Sequence, residues 1–84
     1  MMQIGHPTIK QLKYLKTVIE LKSFRQAALS LNVSQPTITA QIAALEENLG
    51  LTLLERSRTG ALPTAAARAM QPHIDLMLDE VKSI

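Results

Sequence analysis

The sequence predicts a mainly α-helical domain with one small β-hairpin. Apolar residues recur at three- and four-residue steps, and Ser or Thr residues with the spacing of helix caps precede these runs. Two short apolar segments surround Arg58-Thr59-Gly60, where a turn is expected. The 84 residues suffice for one core, and with one Phe, one Tyr and no Trp that core must be built from Leu, Ile, Val and Ala.

The first helix is predicted within TIKQLKYLKTVIELK, after a flexible lead of residues 1–7. Thr8 and Gln11 have the spacing of a capping box, in which each side chain satisfies a free backbone N–H of the other residue. Lys10, Lys13 and Lys16 lie on a face that we expect to be solvated. The apolar face is expected to comprise Ile9, Leu12, Leu15, Val18 and Ile19.

The second helix is predicted to run from Phe24 to about Leu31, with Ser23 as its N-cap. Its small residues Ala27 and Ala28 would let another helix approach closely. Only three residues separate its end from the next helix, and so short a turn makes two helices cross steeply, as in the helix-turn-helix. In that motif the later helix presents its N-terminal residues to base edges in the major groove.

The third helix is predicted to begin after Ser34 as N-cap and to end before Gly50. Pro36 lies in its first turn, where the missing N–H costs nothing. The buried stripe is expected to comprise Ile38, Ile42, Leu45 and Leu49.

The outward surface of this third helix changes in character along its length. Its C-terminal half carries Glu46 and Glu47, which phosphates would repel, so the helix should meet DNA by its N-terminus. Gln35 can offer a donor and an acceptor to adenine, and threonines can contact a base or a phosphate. The alternative makes Gln35 and Thr39 ordinary solvated positions. The residues expected to point away from the core are Pro36, Thr39, Ala40 and Ala43, with Thr37 beside them.

Arginines outside this helix could supply the attraction to phosphates. The candidates are Arg25 near the start of the second helix and Arg56 and Arg58 at the hairpin. Alternatively, Arg25 is a solvated charge and Arg56 pairs with Glu55. The net charge of +2 permits a nucleic-acid partner without requiring one.

The segments LTLLERS and GALPT are predicted to form the hairpin, although they are too short to separate strand from loop by pattern alone. Thr64 is predicted to cap a last helix from Ala65 to about Ser83. Pro72 within that helix cannot donate to the carbonyl of Arg68, so a kink or break costing about 3 kcal/mol is expected there.

The last helix also carries apolar residues at alternating steps of four and three, the pattern of a short coiled-coil seam. Leu76 and Leu78 widen this apolar surface. We expect an antiparallel or crossed homodimer. In this dimer the third helix of one protomer lies about one DNA turn, or a multiple of it, from the third helix of the other. The alternative is packing of the seam on its own domain. The predicted dimerisation residues are Met70, Ile74, Met77, Val81 and Ile84.

The stretch SFRQAALSLNVSQPTITAQIAALEENLGLTLLERS resembles the N-terminal DNA-binding domain of LysR-type transcriptional regulators. The resemblance extends from about Ile9 to Ile84, and the combination of its motifs is specific where VSQP alone is not. Ala40 stands where many members carry Arg, and Ala67 replaces a frequent Gly. The matching elements include Ser23-Phe24, Ala27-Ala28, Val33-Ser34-Gln35-Pro36, Leu45-Glu46, Leu49-Gly50, Leu53-Leu54-Glu55-Arg56 and Pro63-Thr64.

The resemblance implies a winged helix-turn-helix over residues 8–63 and a linker or dimerisation helix over residues 64–84. It further implies that the recognition helix, about 35–48, enters the major groove and that the wing, about 53–63, contacts the backbone or minor groove. The expected activity is sequence-specific binding of double-stranded promoter or operator DNA, as a homodimer on an interrupted palindrome. Together with the residue-level analysis, the expected DNA contacts are Arg25, Ser34, Gln35, Pro36, Thr37, Thr39, Ala40, Arg56, Arg58 and Thr59.

The residue inventory argues against an enzyme. His6 and His73 are far apart, and the sequence offers no thiol, glycine-rich phosphate loop or metal-ligand spacing, so no cofactor or metal is expected. No signal peptide or membrane span is apparent, and a soluble cytoplasmic protein is expected. A small-molecule effector is expected only if a C-terminal domain completes a longer regulator, of which this chain would be a fragment and which could assemble as a tetramer. One alternative function is a helical oligomerisation module without DNA binding. Another is an RNA-binding winged helix, although the chain offers few aromatic residues on which bases could stack.

Overall fold

Four helices and one antiparallel hairpin make up the fold. The computed structural model describes residues 7–58 and 60–83, and of residues 81–83 it describes the backbone alone. Within these ranges no helix combines the length and the apolar character needed to cross a membrane. The elements in chain order are α1 (Ile9–Leu21), α2 (Phe24–Leu31), α3 (Gln35–Leu49), β1 (Leu54–Ser57), β2 (Gly60–Pro63) and α4 (Ala65–Ser83).

Helix α1 begins with the predicted capping box. The Gln11 backbone N–H donates to Thr8 Oγ1 at 3.0 Å, and the Thr8 N–H donates to Gln11 Oε1 at 3.1 Å. The expected apolar face is wrong at Ile9, which is 42% exposed because the first residue of a helix has packing neighbours on one side only. Tyr14 is buried in the core instead. The other expected residues of this face, Leu12, Leu15, Val18 and Ile19, are buried.

The turn between α2 and α3 is as short as predicted. Asn32 is the C-cap of α2 in the left-handed conformation with φ 58°, and its N–H donates to the carbonyls of Ala28 and Leu29. Ser34 then caps α3. The buried Ala27 and Ala28 allow α2 to pack against both α1 and α3. The helix-turn-helix predicted from the spacing is therefore present.

The hairpin is a true pair of strands. Leu54 lies opposite Pro63 and Ser57 lies opposite Gly60 in an antiparallel register. The Ala61 N–H donates to the carbonyl of Lys22, the C-cap residue that follows α1, at 3.0 Å. This bond attaches β2 to the end of the first helix, so the hairpin is held against the helical body and forms the wing of a winged helix-turn-helix.

Thr64 joins the wing to α4. Its hydroxyl donates to the Thr52 carbonyl at 2.7 Å and accepts from the Ala67 N–H at 3.2 Å. Its own N–H donates to the Leu53 carbonyl at 3.0 Å. Because Pro63 is the last residue of β2 and Ala65 the first of α4, one residue both ends the wing and caps the helix.

A kink or a break was expected at Pro72, and no break occurs there, because α4 continues past this residue as one helix. It packs on α1 and β2, with Ala67, Ile74 and Leu78 buried in the common core. The free energy gained from this packing offsets the loss of the backbone hydrogen bond that Pro72 cannot donate. Lys16 of α1 lies 3.2 Å from Asp75 of α4, and the hydrogen bond to this carboxylate raises the pKa of Lys16.

Candidate nucleic-acid interface

The N-terminal end of α3 projects from the molecular surface. Ser34, Gln35, Pro36 and Thr37 are all exposed. The Thr37 N–H donates to Ser34 Oγ at 3.2 Å, and the two hydroxyl oxygens lie 2.7 Å apart. The cap predicted at Ser34 is thus present, while the Gln35 side chain has no hydrogen-bond partner among the described residues. An uncharged tip with amide and hydroxyl groups is free to meet a duplex.

Behind this tip the outer face of α3 forms an open depression. Ala40 and Ala43 are exposed, as expected, whereas Thr39 is half-buried. Because both alanines have short side chains, the backbone of a ligand or the edge of a base could come close to the helix here. The residues that line the depression are Gln35, Pro36, Thr39, Ala40 and Ala43.

Arg56 lies beside the depression, between the wing and the two helices of the motif. The centre of its guanidinium lies 4.1 Å from the centroid of the Phe24 ring, within the range of a cation–π contact. Its Nη2 donates to Thr39 Oγ1 at 3.3 Å. No ion pair with Glu55 is found among the described residues. The structure thus gives Arg56 two partners that the sequence did not indicate.

The other two candidate arginines are exposed. Arg25 is the second residue of α2, and Arg58 lies at the turn of the wing. Neither contacts an acidic side chain within the described part of the chain. Both guanidinium groups are therefore available to phosphates. Thr59, predicted beside Arg58 as a DNA contact, lies outside the described residues.

Glu46 has a structural role that sequence reasoning missed. It was expected with Glu47 on the outer surface, but it is half-buried and its Oε2 accepts from the Leu53 N–H at 2.7 Å and the Leu54 N–H at 3.2 Å. The carboxylate therefore satisfies the backbone at the start of β1 and connects the wing to α3. Its place one turn before the helix-ending Gly50, followed by a returning strand, is the signal that could have identified it.

Gln11 also has a structural role that sequence reasoning missed. Beyond its part in the capping box, its Nε2 donates to Gln41 Oε1 at 3.3 Å. Gln11 is buried, so this bond connects α1 with α3 beneath the outer surface. A polar residue on the apolar face of α1 was a usable signal, because a buried amide requires partners.

The seam predicted for dimerisation is only partly at the surface. Ile74 is 2% exposed and belongs to the core of its own domain, so its assignment to a partner-facing seam is corrected. Met70 is half-buried against the same core. Met77 is 44% exposed and its neighbour Leu76 is 63% exposed. The Val81 side chain and Ile84 lie outside the described residues. The packing of α4 on α1 determines which residues of the predicted seam are buried and which are exposed.

The sequence matches a bacterial family of regulatory proteins. The family model of the bacterial regulatory helix-turn-helix proteins of the lysR family matches residues 9–68. The hydrogen peroxide-inducible genes activator of Haemophilus influenzae is 45% identical over 74 residues, which is 88% of this chain and 25% of that protein. The chain spans between 25% and 35% of the length of the first two curated relatives that it matches.

Solved structures agree with this match. The oxidized form of OxyR from Corynebacterium glutamicum superposes with a TM-score of 0.92 at 36% identity, covering 96% of this chain and 26% of that one. The CbnR DNA-binding domain in complex with DNA superposes with a TM-score of 0.86 at 42% identity, covering 90% of this chain and 87% of that one.

These findings confirm the resemblance noted from the sequence and the winged helix-turn-helix fold. The family consists of transcriptional regulators with a DNA-binding domain and is not a family of enzymes. Among the described residues, no three His, Cys, Asp or Glu side chains are grouped as metal ligands. The chain belongs to the lysR family of bacterial regulatory helix-turn-helix proteins.

Proposed function

We propose that this chain binds double-stranded DNA in a sequence-specific manner and so regulates transcription. The N-terminal half of α3 enters the major groove, with Gln35, Pro36, Thr37, Thr39 and Ala40 toward the base edges. The observation that carries this proposal is the exposed, uncharged tip at Gln35. Solved complexes of the related CbnR and BenM domains with DNA support it, at 42% and 33% identity to this chain.

Phosphate contacts flank the base-reading tip in this proposal. Arg25 and Arg58 are exposed and without acidic partners in the described part of the chain, so each can neutralise a phosphate. The Ser34 cap lies at the positive end of the helix dipole, where its hydroxyl can approach a phosphate oxygen. The wing, about 53–63 and including Thr59, lies along the backbone or in the minor groove.

The chain acts as a homodimer through the last helix in this proposal, with the winged helix-turn-helix at 8–63 and the dimerisation helix at 64–84. Leu76 and Met77 support this because they expose apolar surface on the same helix, which a second copy would cover. Val81 and Ile84 extend the proposed seam. A twofold dimer presents two recognition helices, so its site is an interrupted palindrome with half-sites about one DNA turn, or a multiple of it, apart.

Selection of preferred duplexes from a random pool, followed by fluorescence anisotropy across a salt series, tests the proposal. We expect affinity to fall as salt rises, with a log–log slope of about −0.9 for each phosphate neutralised. Substitution of Gln35 and Thr39 by Ala should weaken binding to the selected duplex more than binding to random DNA. Binding that is absent, or that does not respond to salt or to these substitutions, would leave the chain as an oligomerisation module.

A further inference from the structure

Arg56 lies where α2, α3 and the wing meet. Although the residue as a whole is exposed, its guanidinium is engaged on two sides, stacked 4.1 Å from the centroid of the Phe24 ring and bonded to Thr39 Oγ1 at 3.3 Å. A planar guanidinium suits this arrangement because its face can stack while its edge donates. The side chain is therefore held by the protein, unlike that of Arg58 at the turn of the wing.

The bond from Arg56 occupies one of the two acceptor positions of the Thr39 hydroxyl oxygen. A guanidinium can only donate, so the Thr39 oxygen must accept and its hydroxyl hydrogen is left for another partner. A helical threonine commonly gives this hydrogen to a carbonyl of the preceding turn, as Thr17 does to Lys13 at 2.8 Å. No described residue accepts a hydrogen bond from Thr39. Its hydroxyl hydrogen is thus available to a partner at the depression, which Thr39 helps to line.

We propose that Arg56 is a positioning residue for DNA recognition. Held in place by Phe24, it orients the Thr39 hydroxyl so that this group donates its hydrogen to an acceptor atom of DNA. The inference rests on the proposed DNA-binding function. The acceptor is either a base atom in the major groove, namely purine N7, guanine O6 or thymine O4, or a phosphate oxygen. Arg56 thereby acts through Thr39, and its own charge is not used to neutralise a phosphate.

Three variants separate this role from a simple charge effect. Arg56→Lys keeps the positive charge but loses the planar group that stacks and donates at a fixed angle, so affinity for the selected duplex should fall about threefold to tenfold. Thr39→Val keeps the shape of the side chain and should cause a similar fall. Both substitutions remove the same interaction, because Arg56 acts through Thr39. The affinity of the double variant for the selected duplex should therefore lie within about twofold of that of Thr39→Val alone.

Fluorescence anisotropy of the 84-residue chain on the selected duplex, over a salt series, provides the measurement. Arg56→Gln should leave the log–log salt slope unchanged, whereas Arg58→Gln should reduce its magnitude by about 0.9. Lys13→Gln, which removes an exposed charge on α1, is the control for net charge. Urea unfolding of every variant shows whether the fold is retained. If Arg56→Lys loses the fold, Arg56→Gln and its double variant with Thr39→Val replace it in the comparison.

Modified duplexes identify the acceptor. Single replacements by 7-deazapurine, 2-aminopurine or 4-thiothymine alter one base acceptor, and a methylphosphonate alters one phosphate. One such replacement should weaken binding of the wild-type chain about threefold to tenfold and leave Thr39→Val unaffected. A sensitive base position identifies a base acceptor, and a sensitive phosphate identifies a backbone contact.

Several outcomes would overturn the inference while leaving the proposed function intact. The first two are normal affinity of Arg56→Lys for the selected duplex and additive losses of affinity in the double variant. The third is a salt slope whose magnitude falls by about 0.9 in Arg56→Gln. The fourth is that no modified duplex weakens binding of the wild-type chain without also weakening binding of Thr39→Val. Failure of the wild-type chain to bind any duplex of the random pool would instead overturn the proposed function. The two results are therefore distinguishable.

Discussion

The backbone carbonyl of Lys22 occupies the space that a side chain on Gly60 would need. Lys22 is the C-cap of α1 and Gly60 is the first residue of β2, so the wing rests directly on the end of the first helix. Gly60 also has a φ of 142°, a conformation that residues with a Cβ atom rarely adopt. Two independent constraints thus require glycine at this position.

Gly60→Ala should destabilise the fold by about 1–3 kcal/mol and weaken DNA binding, since the wing must move away from Lys22. Gly50→Ala is the matched control, because Gly50 also has a positive φ, 66°, but nothing lies within 4 Å of the added Cβ. Its cost should be limited to the left-handed conformation, about 1 kcal/mol. Urea unfolding compares the two variants, and equal losses would show that the contact with Lys22 is unimportant.

Glu46→Ala should lower the free energy of unfolding by about 1–3 kcal/mol, because the Leu53 and Leu54 N–H groups lose their acceptor. The penalty is expected because both residues are buried and water cannot replace the carboxylate freely. Glu47→Ala, an exposed acidic residue one position along α3, should change stability by less than about 0.5 kcal/mol. Chemical denaturation of both variants checks this, and comparable effects would contradict the assigned role of Glu46.

Ile74→Ala and Met77→Ala should have different effects although both residues belong to the predicted seam. Ile74 is a core residue, so its truncation should cost about 2–5 kcal/mol in unfolding. Met77 is 44% exposed and should mainly affect self-association. Urea unfolding and sedimentation equilibrium at several protein concentrations measure the two properties. A strong dimer that survives Met77→Ala would place the interface elsewhere.

Pro72→Ala should stabilise the chain, because it restores a backbone donor in the middle of α4 and removes the clash of the proline ring. The gain should be below the full cost of about 3 kcal/mol, since proline also restricts the unfolded chain. Arg68→Ala, an exposed position on the same helix, serves as a control for helix propensity. Thermal unfolding measures both, and a loss of stability in Pro72→Ala would contradict this account.

Arg25→Gln should lower the magnitude of the log–log salt slope of DNA binding by about 0.9, if its exposed guanidinium neutralises one phosphate. Its stability should be nearly unchanged, since no described acidic group depends on it. Lys10→Gln provides a second exposed charge for comparison, on α1. Anisotropy titrations at four or more salt concentrations give the slopes, and equal slopes for wild type and Arg25→Gln would assign Arg25 to the solvated surface.

The features that the sequence predicted are those controlled by neighbouring residues. Thr8, Ser23 and Ser34 cap helices because a short polar side chain reaches the backbone three residues later. The outward placement of Ala40 follows from helical periodicity in the same way. Such interactions need no knowledge of how the elements pack, and the structure reproduces them.

The features that were missed depend on residues distant in the chain. Glu46 bonds to the start of β1, and Arg56 stacks on Phe24 more than thirty positions earlier. Ile74 was assigned to the surface because a heptad pattern does not reveal whether the apolar face meets a second copy or the same chain. Only the packing of α4 on α1 answers that question.

Thr64 is the single residue that connects the wing to α4. A hydroxyl and an amide of this one residue are bonded to the Thr52 and Leu53 carbonyls, while the next residue already belongs to the helix. A rotation of α4 would therefore be transmitted to the hairpin, because α4 cannot rotate relative to the wing unless these hydrogen bonds break.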